Sequence, residues 1–182
     1  MKTSIYIMTM QEQDIIQSIL QGDSSRYAYV MDTYGPRVRA FVAGMVRNAL
    51  DVEEIVGDTF IQAYRHLDSY DASRSRLITW IQRIAYRQVL QHLRRCRQEC
   101  LSIDELGDAS IAMSQDEDGH AWVNELILCL PPADRALIHL YYYEGMKLSE
   151  IAPMLEVTSA SLATRLLRIR KKLYHLIQPQ SL

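Results

Sequence analysis

The amino-acid sequence predicts an all-α fold: two helical domains joined by an acidic linker. Three observations carry that prediction. The 182-residue chain holds only 7 Gly and 5 Pro, too few for a sandwich or barrel, which needs a turn about every 8 to 12 residues. Its apolar residues recur at helical spacing and seldom alternate. Its charge falls in blocks: residues 1–70 carry 6 Lys+Arg against 9 Asp+Glu, 71–100 carry 7 against 2, 101–130 carry none against 7, and 131–182 carry 7 against 4. Two cationic segments flanking an acidic strip divide the chain into modules at 11–98 and 121–178, with a linker at 99–120.

A hydrophobic content of 48% and a charged content of 23% suit a chain that buries a core. Three cysteines and an opening Met1–Met10 without a secretory leader predict free thiols in a cytoplasmic protein. No apolar run approaches the roughly 18 residues that a membrane helix needs, so membrane insertion is not expected.

The first element is a helix from Gln11 to Leu20, with Ile15, Ile16, Ile19 and Leu20 on one face and a stop at Gly22. Asp23 caps a second, whose stripe runs through Tyr27, Val30, Met31 and Tyr34, is interrupted near Gly35-Pro36, and resumes at Val38, Phe41, Val42, Met45 and Val46. Asp51 caps a third, with Ile55, Val56, Phe60, Ala63, Tyr64 and Leu67 facing inward and Asp51, Glu53, Glu54 and Asp58 crowding its first turns, where the helix dipole accepts negative charge. The polar loop Asp68 to Arg76 leads into a basic helix from Leu77 to Arg97, with Ile81, Ile84, Ala85, Val89 and Leu93 inward and Arg83, Arg87, Arg94 and Arg95 on its other side.

In the last module a helix starts at Pro131-Pro132, where proline suits the first turn, and continues through Tyr141 to Gly145. A short helix from Ser149 to Leu155 and a longer one from Ser161 to Ile177 then make a helix-turn-helix. Ala152 lets the two approach, and Ile151, Leu155, Val157, Leu162 and Leu166 form their seam.

These strings carry a resemblance. Asp51-Val-Glu-Glu-Ile-Val-Gly-Asp-Thr-Phe-Ile-Gln-Ala-Tyr64, Thr79-Trp-Ile-Gln-Arg-Ile-Ala85 and His92-Leu-Arg-Arg95 resemble region 2 of bacterial sigma factors, closest to the extracytoplasmic-function class. Leu130-Pro-Pro-Ala-Asp-Arg135, Glu150-Ile-Ala152 and Ser161-Leu-Ala-Thr-Arg165-Leu-Leu-Arg168-Ile-Arg170 are similar to that class's region 4, and nothing between them resembles a region 3.

The resemblance implies a promoter-specificity subunit. Region 2 would bind core RNA polymerase and open the -10 element of promoter DNA, and region 4 would read the -35 element. It implies a polymerase contact through Glu54, Asp58, Ile61 and Gln62, carboxylates meeting basic groups across the interface. For the -10 element it points to Tyr70, Arg74, Arg76, Thr79, Trp80, Arg83 and Arg87, because aromatic and arginine planes stabilise unstacked bases. For the -35 element it points to Ser159, Ser161, Thr164, Arg165 and Arg168, with Lys171 and Lys172 as phosphate anchors. The acidic linker would follow the polymerase's RNA exit path, and an anti-sigma factor would restrain the free protein.

The sequence also departs from the family. Arg87 and Gln91 stand where asparagine and aspartate are usual, so no -10 preference carries over. Glu156 and Ala160 stand where glycine or another small residue commonly makes the turn, and Ala163 where a lysine often touches DNA. His92, Cys96 and Cys100 recur every four residues but lack a fourth ligand, so no metal or other cofactor is expected. No nucleophile-base pair or phosphate-cradling loop appears, which argues against an enzyme. The residues leave two other readings open: a stand-alone helix-turn-helix regulator, and a helical adaptor with basic faces for acidic proteins.

Overall fold

A computed structural model describes residues 12–102 and 126–177, which are helices and short connections throughout. They gather into two compact units, one containing residues up to 42 together with 48–88, the other 43–47 together with 89 onward.

In the first unit, helix α1 (12–20) buries Ile15, Ile16 and Ile19 and leaves Leu20 exposed, then stops at Gly22 with φ +108°. Tyr34 donates its hydroxyl to Glu12. Helix α2 (Tyr27–Ala43) runs unbroken through Gly35 and Pro36, where the sequence predicts an interruption. Two features reconcile proline with continuity. Gly35 has no Cβ to clash with the proline ring, and Val30, Tyr34, Val38, Phe41 and Val42 are buried on both sides of it, so packing holds the halves in line. Met31, expected on that stripe, is exposed.

Helix α3 (Ala49–Arg65) begins earlier than predicted. Asn48 caps it, its side chain accepting the Leu50 N–H at 2.8 Å, and Asp51 falls within the first turn. Asn48 takes the extended backbone that a cap requires, with ψ 123°. Val52, Ile55, Val56, Thr59, Phe60 and Ala63 are buried, whereas Tyr64, predicted inward, is largely exposed and meets Tyr27 edge-on at 4.9 Å. The Tyr27 hydroxyl donates to the Phe60 carbonyl at 2.6 Å.

Helix α4 (Leu77–Ser102), of which residues from 89 onward count with the second unit, buries Leu77, Ile78, Ile81, Gln82, Ala85, Tyr86 and Val89, while Ile84 and Leu93 are half-buried. It outruns its expected end because no glycine or proline interrupts the chain from Arg97 to Ser102. The first residues of the expected linker are thus helical, and the remainder lies outside the described residues.

In the second unit, helix α5 (Pro132–Ile138) has proline in its first turn. It passes into a widened π turn (His139–Tyr143), closed by the Glu144 N–H donating to the His139 carbonyl at 3.1 Å, where the sequence predicts a regular helix. Helix α6 (Leu148–Leu155) starts with the Glu150 carboxylate accepting the Lys147 N–H at 2.8 Å. Its end is made by Glu156, left-handed at φ 58° and ψ 41°. Helix α7 (Ser159–Ile177) starts two residues before the predicted Ser161, because Thr158 serves as its cap, with Oγ1 accepting the Ser161 N–H at 3.2 Å. The seam of Ile151, Ala152, Leu155, Leu162 and Leu166 is buried, while Val157, expected within it, is 36% exposed on the turn. Among the described residues no helix is long and apolar enough to cross a membrane.

Candidate polymerase and promoter interfaces

On α3 the buried stripe leaves the opposite face to solvent. Glu54, Asp58 and Ile61 are exposed there and Gln62 is half-buried, at the three- and four-residue spacing of one helix face. Ile61, at 50% exposure one turn after Asp58, gives this face an apolar contact point.

The connection into α4 is a folded loop. Asp71 Oδ1 accepts the Ser73 N–H at 2.9 Å and the Ser73 hydroxyl at 2.7 Å, and these bonds hold the Asp71 carboxyl below its ordinary pKa. The Tyr70 hydroxyl donates to the Ser75 carbonyl at 3.0 Å, spanning the loop. Burial pushes the Tyr70 phenol up to about 12, so it stays protonated as a donor. The Tyr70 ring lies 5.5 Å from the Trp80 ring at an interplanar angle of 56°, and both are half-buried. The indole therefore packs and still presents a surface.

Thr79, Arg83 and Arg87 follow one another at four-residue steps on the same face of α4. Arg83 is half-buried, and its Nε has no hydrogen-bond partner among the described residues. Arg76 and Arg87 are exposed, and Arg74, mostly exposed, pairs with Asp71 at 3.1 Å. Sequence reasoning missed Asp71, Ser73 and Ser75 as organisers of this loop. The Asp-x-Ser signature of a side-chain-closed turn is the signal that finds Asp71 and Ser73, whereas Ser75 acts through its backbone carbonyl and leaves no such signal.

On α7, Ser159, Ser161, Thr164, Arg168, Lys171 and Lys172 are exposed. Ser161, Thr164, Arg165 and Arg168 line one surface depression, and the Thr164 hydroxyl donates to the Ala160 carbonyl at 3.2 Å. Arg165 differs from the others. Its Nε donates to Asp134 of α5, and the side chains are 25% and 6% exposed respectively. Arg168 Nη2 lies 4.0 Å from the other carboxylate oxygen. Arg170 donates from Nε to the Tyr142 hydroxyl at 2.7 Å, with its guanidinium 6.0 Å and 5.7 Å from the Tyr141 and Tyr142 ring centres. The hydroxyl of Tyr142 raises the Arg170 pKa further.

His92 Nε2 lies 3.4 Å from Cys96 Sγ, and the Cys100 side chain lies outside the described residues. No group of three or more metal-ligating side chains occurs among the described residues.

Known proteins match this arrangement along its length. Residues 30–99 match the model of Sigma-70 region 2 and residues 120–173 that of Sigma-70, region 4. The ECF RNA polymerase sigma factor SigW of Bacillus subtilis is 26% identical over 181 residues, covering 91% of this chain and 96% of SigW. The RNA polymerase sigma-H factor of Pseudomonas aeruginosa is 24% identical, covering 93% and 95%. The sigma factor RpoE of Bartonella quintana, solved in complex with the anti-sigma factor NepR, shares the fold with a TM-score of 0.74 at 20% identity, covering 85% of this chain and 98% of that one. A regulator built on a helix-turn-helix alone, or an adaptor with no polymerase partner, accounts for only part of such a match. With both regions present in order, the chain belongs to the sigma-70 family of RNA polymerase sigma factors, in its extracytoplasmic-function class.

Proposed function

We propose that this sigma factor engages core polymerase through Glu54, Asp58, Ile61 and Gln62, separates the -10 element at the Tyr70–Trp80 corner, and reads the -35 element with the first turns of α7. The observation that carries the reading is the division of α7. Leu162, Leu166 and Ile169 are buried in the helix-turn-helix, while Ser159, Ser161, Thr164, Arg168, Lys171 and Lys172 all face solvent. Short polar side chains in the first turns suit base edges in the major groove, and the cations that follow suit phosphate.

On the -10 side, the folded loop holds Tyr70 against Trp80, and Arg76 at the end of the loop with Arg83 and Arg87 along α4 supply planar cations for bases and backbone. The bond-forming chemistry of transcription then belongs to the polymerase, and this chain supplies recognition in the compartment that holds the chromosome. Restraint by an anti-sigma factor is part of the reading, supported by the Bartonella relative solved with one.

Association with core polymerase followed by run-off transcription tests the function. Initiation at discrete start sites is expected, and purified protein that neither joins the enzyme nor selects start sites overturns it. Arg165→Ala is expected to cost about 1–3 kcal/mol of discrimination at one -35 position if its guanidinium reads a base, measured by competition binding across single-base promoter variants. Uniform weakening across the variants assigns Arg165 to phosphate.

A further inference from the structure

We propose that Asp134 is a positioning residue for -35 recognition, fixing the guanidinium of Arg165 so that its outer edge faces DNA. The inference rests on the reading of α7 as the -35 helix and adds a residue on another element to that site. Asp134 sits in the first turn of α5, 31 residues before Arg165. Its carboxylate is 6% exposed, so it is withheld from DNA while it holds the arginine.

The contact engages Arg165 Nε with Asp134 Oδ1. Both Nη groups are thereby left for an outside acceptor, and that end-on pair matches guanine O6 and N7 or two phosphate oxygens. Holding the side chain in advance removes ordering that binding would otherwise impose. Arg168 Nη2, 4.0 Å from Oδ2, brings a second guanidinium to the same carboxylate. Ser161, Thr164, Arg165 and Arg168 therefore line one depression under the influence of one buried anion.

The test uses holoenzyme and promoters varied one base pair at a time across the -35 element, with thermal melting as a control for folding. Asp134→Ala is expected to lower discrimination roughly 5- to 10-fold at the single position that Arg165→Ala also affects, leaving the other positions unchanged. Added to Arg165→Ala, it is expected to change nothing further. Asp134→Asn keeps an acceptor oxygen and is expected to lose roughly 2- to 3-fold at that same position; if the alanine variant does not fold, this result decides. A uniform change across all sequences, tighter binding included, or no change in either folded variant overturns the inference while leaving Arg165 as the reader. An Arg165→Ala that alters no single position removes Arg165 as the base reader, and this inference falls with it.

Discussion

At the scale of single residues, Glu156 and Asp134 define what the turn and the reading helix require. Glu156 adopts φ 58° to end α6, a conformation that glycine takes freely and that a side chain takes at a cost of about 1 kcal/mol. Glu156→Gly is therefore expected to stabilise the second unit by up to about 1 kcal/mol, read as a rise in the denaturant midpoint with an unchanged slope. The sequence already reveals Glu156 as a departure from family usage, but the left-handed backbone becomes visible only in the fold. Asp134 was hidden more deeply. An acid in a first helical turn looks like an ordinary helix-start residue, and a partner 31 residues away leaves no trace in local periodicity. Arg170 and Tyr142 are paired in the same non-local way.

At the scale of elements, the loop between α3 and α4 is held by the Tyr70 hydroxyl on the Ser75 carbonyl and by one carboxylate. Asp71 has its pKa lowered, first by the Ser73 hydroxyl. A lowered folded value means that its contribution to loop order is present above the unfolded pKa of about 3.9 and is lost as the pH falls through the lower folded value. Titration of the Asp71 carboxyl by NMR is expected to give a midpoint below about 3.9, and Ser73→Ala to move it upward. Helix existence and facing were largely legible from spacing, since Ile15, Ile55, Phe60, Ile81 and Leu162 are all buried as predicted. Boundaries were less so: Asn48 and Thr158 cap helices that the sequence starts elsewhere, and packing carries α2 through Pro36. The apolar spacing places Leu20, Met31 and Tyr64 inward but they are exposed, because a helical stripe read from sequence is wider than the strip that a neighbour covers.

For the molecule as a whole, the net charge of -2 conceals the cationic blocks that a polyanion meets, and promoter binding by the holoenzyme should weaken steeply with salt. The arginines and lysines of α7 are not equivalent in that response. Lys171→Ala and Lys172→Ala are each expected to reduce the salt slope by about 1. Arg170→Ala is expected to reduce it less, because its guanidinium rests on Tyr141 and Tyr142. Equal slopes for the three would show that the tyrosines release it on DNA. The Trp80 ring, partly open to solvent beside Tyr70, supplies an optical reporter. Trp80 and Trp122 are the only tryptophans, so Trp122→Phe leaves a lone indole whose fluorescence is expected to quench when an extruded base stacks on it. Stopped-flow emission would then time strand separation without any attached dye.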